Sequence, residues 1–177
     1  MLLWTIQHKI AYEILIQTGR LRADEKHLFC GNDFLHAYQW ISEQMKEHIG
    51  LPPEEIHYPV WAWYQWESVR KRLDMRSHRR WTTKGTPIVL LTIDVPDNLV
   101  LLSDFDMWHC VLNTSYLPLS KEDEIENSTT AEKTESWKKI FQIDVQTDYW
   151  NTTKSTQATF WELKKEWVLK AEHFLSS

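Results

Sequence analysis

The stretch Tyr58-Pro59-Val60-Trp61-Ala62-Trp63-Tyr64-Gln65-Trp66 decides how the rest of the chain is read. Its residues alternate with period two. Val60, Ala62, Tyr64 and Trp66 point one way, Trp61, Trp63 and Gln65 the other, and β-branched and aromatic residues in that pattern predict a strand. Neither face is polar, so neither is a plain solvent face. One reading is a central strand covered on both sides. The other is an aromatic wall that lines a pocket for a flat ring.

Just beyond this strand the chain turns basic. Seven of its twenty Lys and Arg residues fall between Arg70 and Lys84, whereas acidic residues crowd Glu122 to Glu135. The net charge of -5 argues against wholesale coating of nucleic acid. A local cationic patch on an acidic protein suits a small anionic ligand or a confined stretch of nucleic acid. A solvated face paired with the acidic segment is the plainer reading of the same residues.

With 177 residues, the chain is one domain of common size with enough length for a core. Its eleven Trp and only four Gly exclude a linker or a disordered protein. Cys30 and Cys110 lack metal-ligand spacing and read as reduced, buried thiols. Met1-Leu2-Leu3-Trp4 leads straight into structure, with no charged leader and no long apolar run. Neither a signal peptide nor a membrane span is expected, and the location expected is cytoplasmic.

An opening strand over 2–7 leads to a helix over 8–18, with Ile10, Ala11, Ile14 and Leu15 as its apolar face and Gly19 as its C-cap. Asn32 or Asp33 is expected to cap a longer helix running to about Ile49. Pro87–Val95 is apolar throughout and reads as a central strand. Asp104 opens a helix whose buried side is Phe105, Trp108, Val111 and Leu112. Residues 118–131 lack a period and read as a mobile loop before a short helix. Gln157–Leu163 reads as one strand, and 168–175 as a closing element. The class is therefore α+β, a single domain over 1–177. Glycine-rich phosphate loops, metal-spaced His or Cys clusters and nucleophile elbows are missing from the sequence.

Two segments carry a resemblance. Leu3-Trp4-Thr5-Ile6-Gln7, then a helix and Gly19-Arg20-Leu21, resembles the entry of ADP-ribosyltransferase folds. Gln157-Ala158-Thr159-Phe160-Trp161-Glu162 is similar to the end of DNA-modifying ADP-ribosyltransferase toxins, whose motif is Gln-Ala-Glu followed by apolar residues. The whole chain also resembles a bacterial family of unknown function, through Trp4-Thr5-Ile6-Gln7, Trp61-Ala62-Trp63-Tyr64-Gln65-Trp66 and Leu102-Ser103-Asp104-Phe105-Asp106 with Trp108-His109.

The transferase resemblance implies a split central sheet with flanking helices and NAD as the substrate consumed, in a toxin-like protein of a bacterial stress or conflict system. Under it Thr5 or Gln7 meets the nicotinamide ribose, Trp63 and Tyr64 flank nicotinamide, and Arg70 or Arg76 meets pyrophosphate. Glu162 is the acid, and the acceptor is a nucleic acid or a protein. The departures are specific. Thr159 stands where the toxins have their glutamate, and Thr5 or Gln7 stands where the superfamily has His or Arg. The alternative is a fold that has lost transfer chemistry and binds a nucleotide or nucleic acid by stacking and phosphate contacts.

Overall fold

The computed structural model describes residues 1–23, 31–53, 56–78, 80, 82–145, 147, 149–150 and 153–177. In chain order its elements are β1 (Leu2–His8), α1 (Lys9–Thr18), β2 (Arg20–Arg22), α2 (Leu35–Ile49), β3 (Val60–Gln65) and α3 (Met75–His78). There follow β4 (Pro87–Asp94), β5 (Leu101–Asp104), α4 (Phe105–Leu112), α5 (Thr130–Trp137), β6 (Thr156–Phe160), β7 (Glu162–Lys164) and β8 (Val168–Leu175). Six strands form one sheet in the order β5-β6-β3-β1-β4-β8, and β2 pairs with β7 in a small second sheet. The pairings are antiparallel. The protein is a single mixed α and β domain. Among the described residues, no helix is long and apolar enough to cross a membrane.

The large sheet is unevenly joined. β1 and β4 share seven registered pairs, from Leu2↔Asp94 to His8↔Ile88. β1 and β3 share one, Trp4↔Trp63. The sheet therefore parts at its middle into β5-β6-β3 and β1-β4-β8. Side chains replace the missing ladder bonds there. The Thr5 hydroxyl donates to the Trp61 carbonyl at 2.8 Å. The Arg70 guanidinium donates to the carbonyls of Leu2, at 2.6 Å, and Tyr64, at 2.5 Å, one on each strand.

Both faces of the sheet are covered. Leu3, Val60, Ala62, Val89, Leu91 and Phe160 pack on Leu15 of α1 and on Leu21 and Leu163 of the small sheet. On the opposite face Leu101, Trp161 and the half-buried Trp61 meet α2, α4 and α5, and Trp4, Trp63 and Leu90 meet Leu73 and Met75. The two-sided aromatic strand is thus a central strand with core on each face.

Four expectations need correcting. In α1 only Leu15 is buried, while Ile10 is 71 % exposed and Ile14 45 %. Half-buried Ala11 and Tyr12 join Leu15 against the core instead. Positions 10, 11, 14, 15 and 11, 12, 15 fit one helix equally well, and tertiary packing selects between them. Before α2, a 3-10 turn spans Gly31–Phe34, so the helix starts at Leu35 with no side-chain cap at Phe34. In α4 the buried residues are Met107, Trp108 and Val111, with Phe105 and Leu112 half-buried. The Asp104 cap is as expected, its carboxylate accepting from the Met107 N–H.

The fourth concerns Gln157–Leu163, which is not one strand. β6 ends at Phe160, and the buried Trp161 donates its indole N–H to the Gly50 carbonyl at 3.0 Å. The chain bends at this residue. Glu162 then passes into the second sheet, opposite Arg22.

Candidate ligand-binding site

The place where β1 leaves β3 gathers part of the expected site. Thr5 is buried, and the side-chain amide of half-buried Gln7 donates to its hydroxyl at 2.8 Å. These two residues lie on β1 just past the last pair with β3, so they line the parting of the sheet. Tyr64 and Arg70 lie beyond that pair in the other direction. The Arg70 guanidinium sits 3.8 Å from the Tyr64 ring centroid and 5.4 Å from that of Trp4. Its hydrogen bonds go to backbone carbonyls on both strands, so Arg70 clamps the sheet together.

The remaining expected residues are placed elsewhere. Trp63 is 5 % exposed and packs edge-to-face on Trp66 and Phe105, inside core rather than on a pocket wall. Arg76 is at the surface, bound to Asp74. Hydrogen bonds from the Arg76 side chain, then from its backbone N–H, hold the Asp74 carboxyl far below the usual carboxylate range. Arg72, in the same basic segment, makes a bidentate pair with Glu172 at 2.8 and 3.1 Å. Arg72 and Arg76 thus pair with Glu172 and Asp74, not with the 122–135 segment.

Glu162, the acid of the expected site, is held by two arginines. Its side chain is 7 % exposed and accepts from Arg20 Nη1 at 3.2 Å and from Arg22 Nε at 3.3 Å. Thr159 is fully buried, and its hydroxyl donates to the Leu101 carbonyl at 3.2 Å. On the cross-strand register, Val60 pairs with Phe160 and Trp4 with Trp63. The end of β6, the start of β3 and the end of β1 are therefore at the same end of the sheet. Gln7 lies at that end of the sheet on β1, whereas Glu162 has left β6 and pairs with Arg22 in the small sheet.

Sequence reasoning did not single out Arg20 and Arg22 as functional groups. Their signal was present in the spacing. Arg-Leu-Arg at 20–22 and Glu-Leu-Lys at 162–164 both place one Leu inward and two charged residues outward when extended. Read as a pair, they form a short ladder with a charged outer face.

An open depression lies apart from the sheet edge, lined by Cys110, Ser115, Tyr116, Glu124, Tyr149 and Trp150 among others. Burial pushes the Cys110 thiol above its ordinary value, so it stays protonated near neutrality and is a poor nucleophile. Among the described residues, no group of three or more His, Cys, Asp or Glu could hold a metal ion.

A protein-family model described as "Domain of unknown function (DUF3841)" matches residues 2–135. No curated protein and no solved structure matches the chain.

Proposed function

Since the chain belongs to the DUF3841 family, a domain of unknown function, its own residues must carry the reading, and we propose a nucleotide-binding module on an ADP-ribosyltransferase-like sheet. The ligand is NAD or a related nucleotide, held where β1 parts from β3, beside Thr5 and Gln7. Transfer chemistry is lost in this reading. Departure of nicotinamide builds positive charge on the ribose, and a carboxylate must be free to meet that charge. Thr159, at the position of the toxins' glutamate, has only a hydroxyl, already donated to Leu101. Glu162 is neutralised by two guanidiniums.

The parting of the sheet is the observation that carries the binding reading. The two segments that resemble the transferases supply β1 and β6 of one sheet, with only β3 between them, and Glu162 follows β6 into the small sheet. The same observation favours a second reading, in which the protein is an active NAD-consuming transferase of a bacterial stress or conflict system. Glu162 would then leave its arginines to act.

Titration with NAD by calorimetry, followed by assay for released nicotinamide, separates the two. The expected result is binding without release. Replacing Gln7 with Ala should weaken that binding by about tenfold, the scale of one hydrogen bond lost at a half-buried site. Release that falls about 100-fold in Glu162→Gln would instead establish the transferase. If neither NAD nor a mononucleotide binds the folded chain, the proposal fails.

A further inference from the structure

The outer face of the small sheet carries more positive than negative charge among the described residues. Leu21 and Leu163 point into the core, so Arg20, Arg22, Glu162 and Lys164 share the opposite face. In register, Arg22 faces Glu162, but Arg20 directly faces Lys164. Two cations opposite each other in an antiparallel pair destabilise it. Among the described residues, the one carboxylate on this face is shared by the two arginines, whose side chains remain 54 % and 40 % exposed. The Lys164 ammonium lies 5.3 Å from the Trp167 ring centroid, a cation–π contact that holds it in place but leaves its formal charge uncompensated. Two guanidiniums thus hold one buried carboxylate, Lys164 adds a third cation to the face, and among the described residues guanidinium N–H groups are left over for a further acceptor.

We infer that this face is the phosphate-binding platform of the nucleotide site, with Arg20, Arg22 and Lys164 receiving a pyrophosphate group. The inference rests on the nucleotide reading above and moves the phosphate contacts from Arg70 and Arg76 to the second sheet. The planar guanidiniums suit bidentate contact with phosphate oxygens, and Lys164 adds a point charge. Glu162 takes the part of an orienting anion. It fixes both arginines from one side and leaves their other N–H groups outward. The anion in turn removes the repulsion between Arg20 and Lys164, so binding and stability are linked.

Inorganic pyrophosphate, titrated into the full chain at low ionic strength, tests this directly. It should bind with an affinity that falls as salt is added, and it should raise the melting temperature. Lys164→Gln leaves the Arg20–Glu162–Arg22 cluster intact, so this variant should fold. Its pyrophosphate affinity should drop by about tenfold. Without pyrophosphate it should melt no lower than the parent, because the facing charges are gone. No pyrophosphate binding, or equal affinity in a folded Lys164→Gln, overturns the platform. NAD binding that ignores Lys164→Gln also overturns it while leaving the nucleotide reading in place. Pyrophosphate binding that depends on Lys164, in a chain that takes no nucleotide, keeps the platform and removes the nucleotide reading.

Discussion

Arg70 and Glu162 show how a charged side chain acquires its role from what surrounds it. Arg70 belongs to a basic run, yet its donors end on the Leu2 and Tyr64 carbonyls and its plane lies on Tyr64. Arg70→Ala should therefore act on stability before it acts on any ligand. The expected loss is about 1–2 kcal/mol, reduced from the full value of charge-assisted bonds because the residue is exposed. Urea denaturation measures it, and an unchanged midpoint would show that the clamp is idle. Glu162→Gln should also destabilise, by about 1–2 kcal/mol, since it leaves two half-exposed guanidiniums facing a neutral amide. The same denaturation experiment reads it, and a more stable variant would contradict the ion cluster.

Among the elements, the segment between α4 and α5 is better anchored than its composition suggests. Its apolar residues are few, but Asp123 accepts from the Leu119 N–H, the Tyr116 hydroxyl and the Lys139 ammonium. The hydrogen bond from Lys139 is the largest cause that holds the Asp123 carboxyl below its ordinary value. A depressed folded-state value contributes stability that is full above the unfolded value of about 3.9 and is lost as pH falls through the folded one. Asp123→Asn should accordingly lower the melting temperature by about 2–4 °C at pH 7. That difference from the parent should close as pH falls from about 3.9 through the lower folded-state value. A difference that stays constant with pH would mean that the carboxylate's charge is not what anchors the segment. Protease should also cut 119–128 faster in the variant at pH 7.

At the scale of the whole molecule, the uneven joining of the sheet sets how it opens. β4 is paired on both sides, with β1 and with β8, and its Val89, Leu90 and Leu91 are wholly buried. Its amides should exchange slowest with solvent. Amides of β3 should exchange sooner, because β1 offers that strand one registered pair and two side-chain clamps. If NAD occupies the parting, it should add protection over 5–7 and 60–62 in particular. Hydrogen exchange with and without NAD measures both effects. Equal protection of β3 and β4 in the free protein would show that the sheet moves as one body.

Much of this was legible in the residues themselves. Period two in 58–66 and the apolar run at 87–95 set two strands, because a half-buried or buried extended chain admits few other patterns. Gly19, with φ of 79°, ends α1 as only a residue without a side chain does easily, and Asp104 caps α4. These are local effects, and local sequence determines them. The face that α1 turns inward was not local, since Leu15 could be joined by Ile10 and Ile14 or by Ala11 and Tyr12, and contact with the core chose Ala11 and Tyr12. Nor was the fate of the closing strand, where the hold of Gly50 on Trp161 carries Glu162 away from Thr159 and between Arg20 and Arg22. Bonds between residues 111 and 142 positions apart decide that cluster. Spacing along a chain specifies direction within one element, and only packing between elements specifies which groups meet.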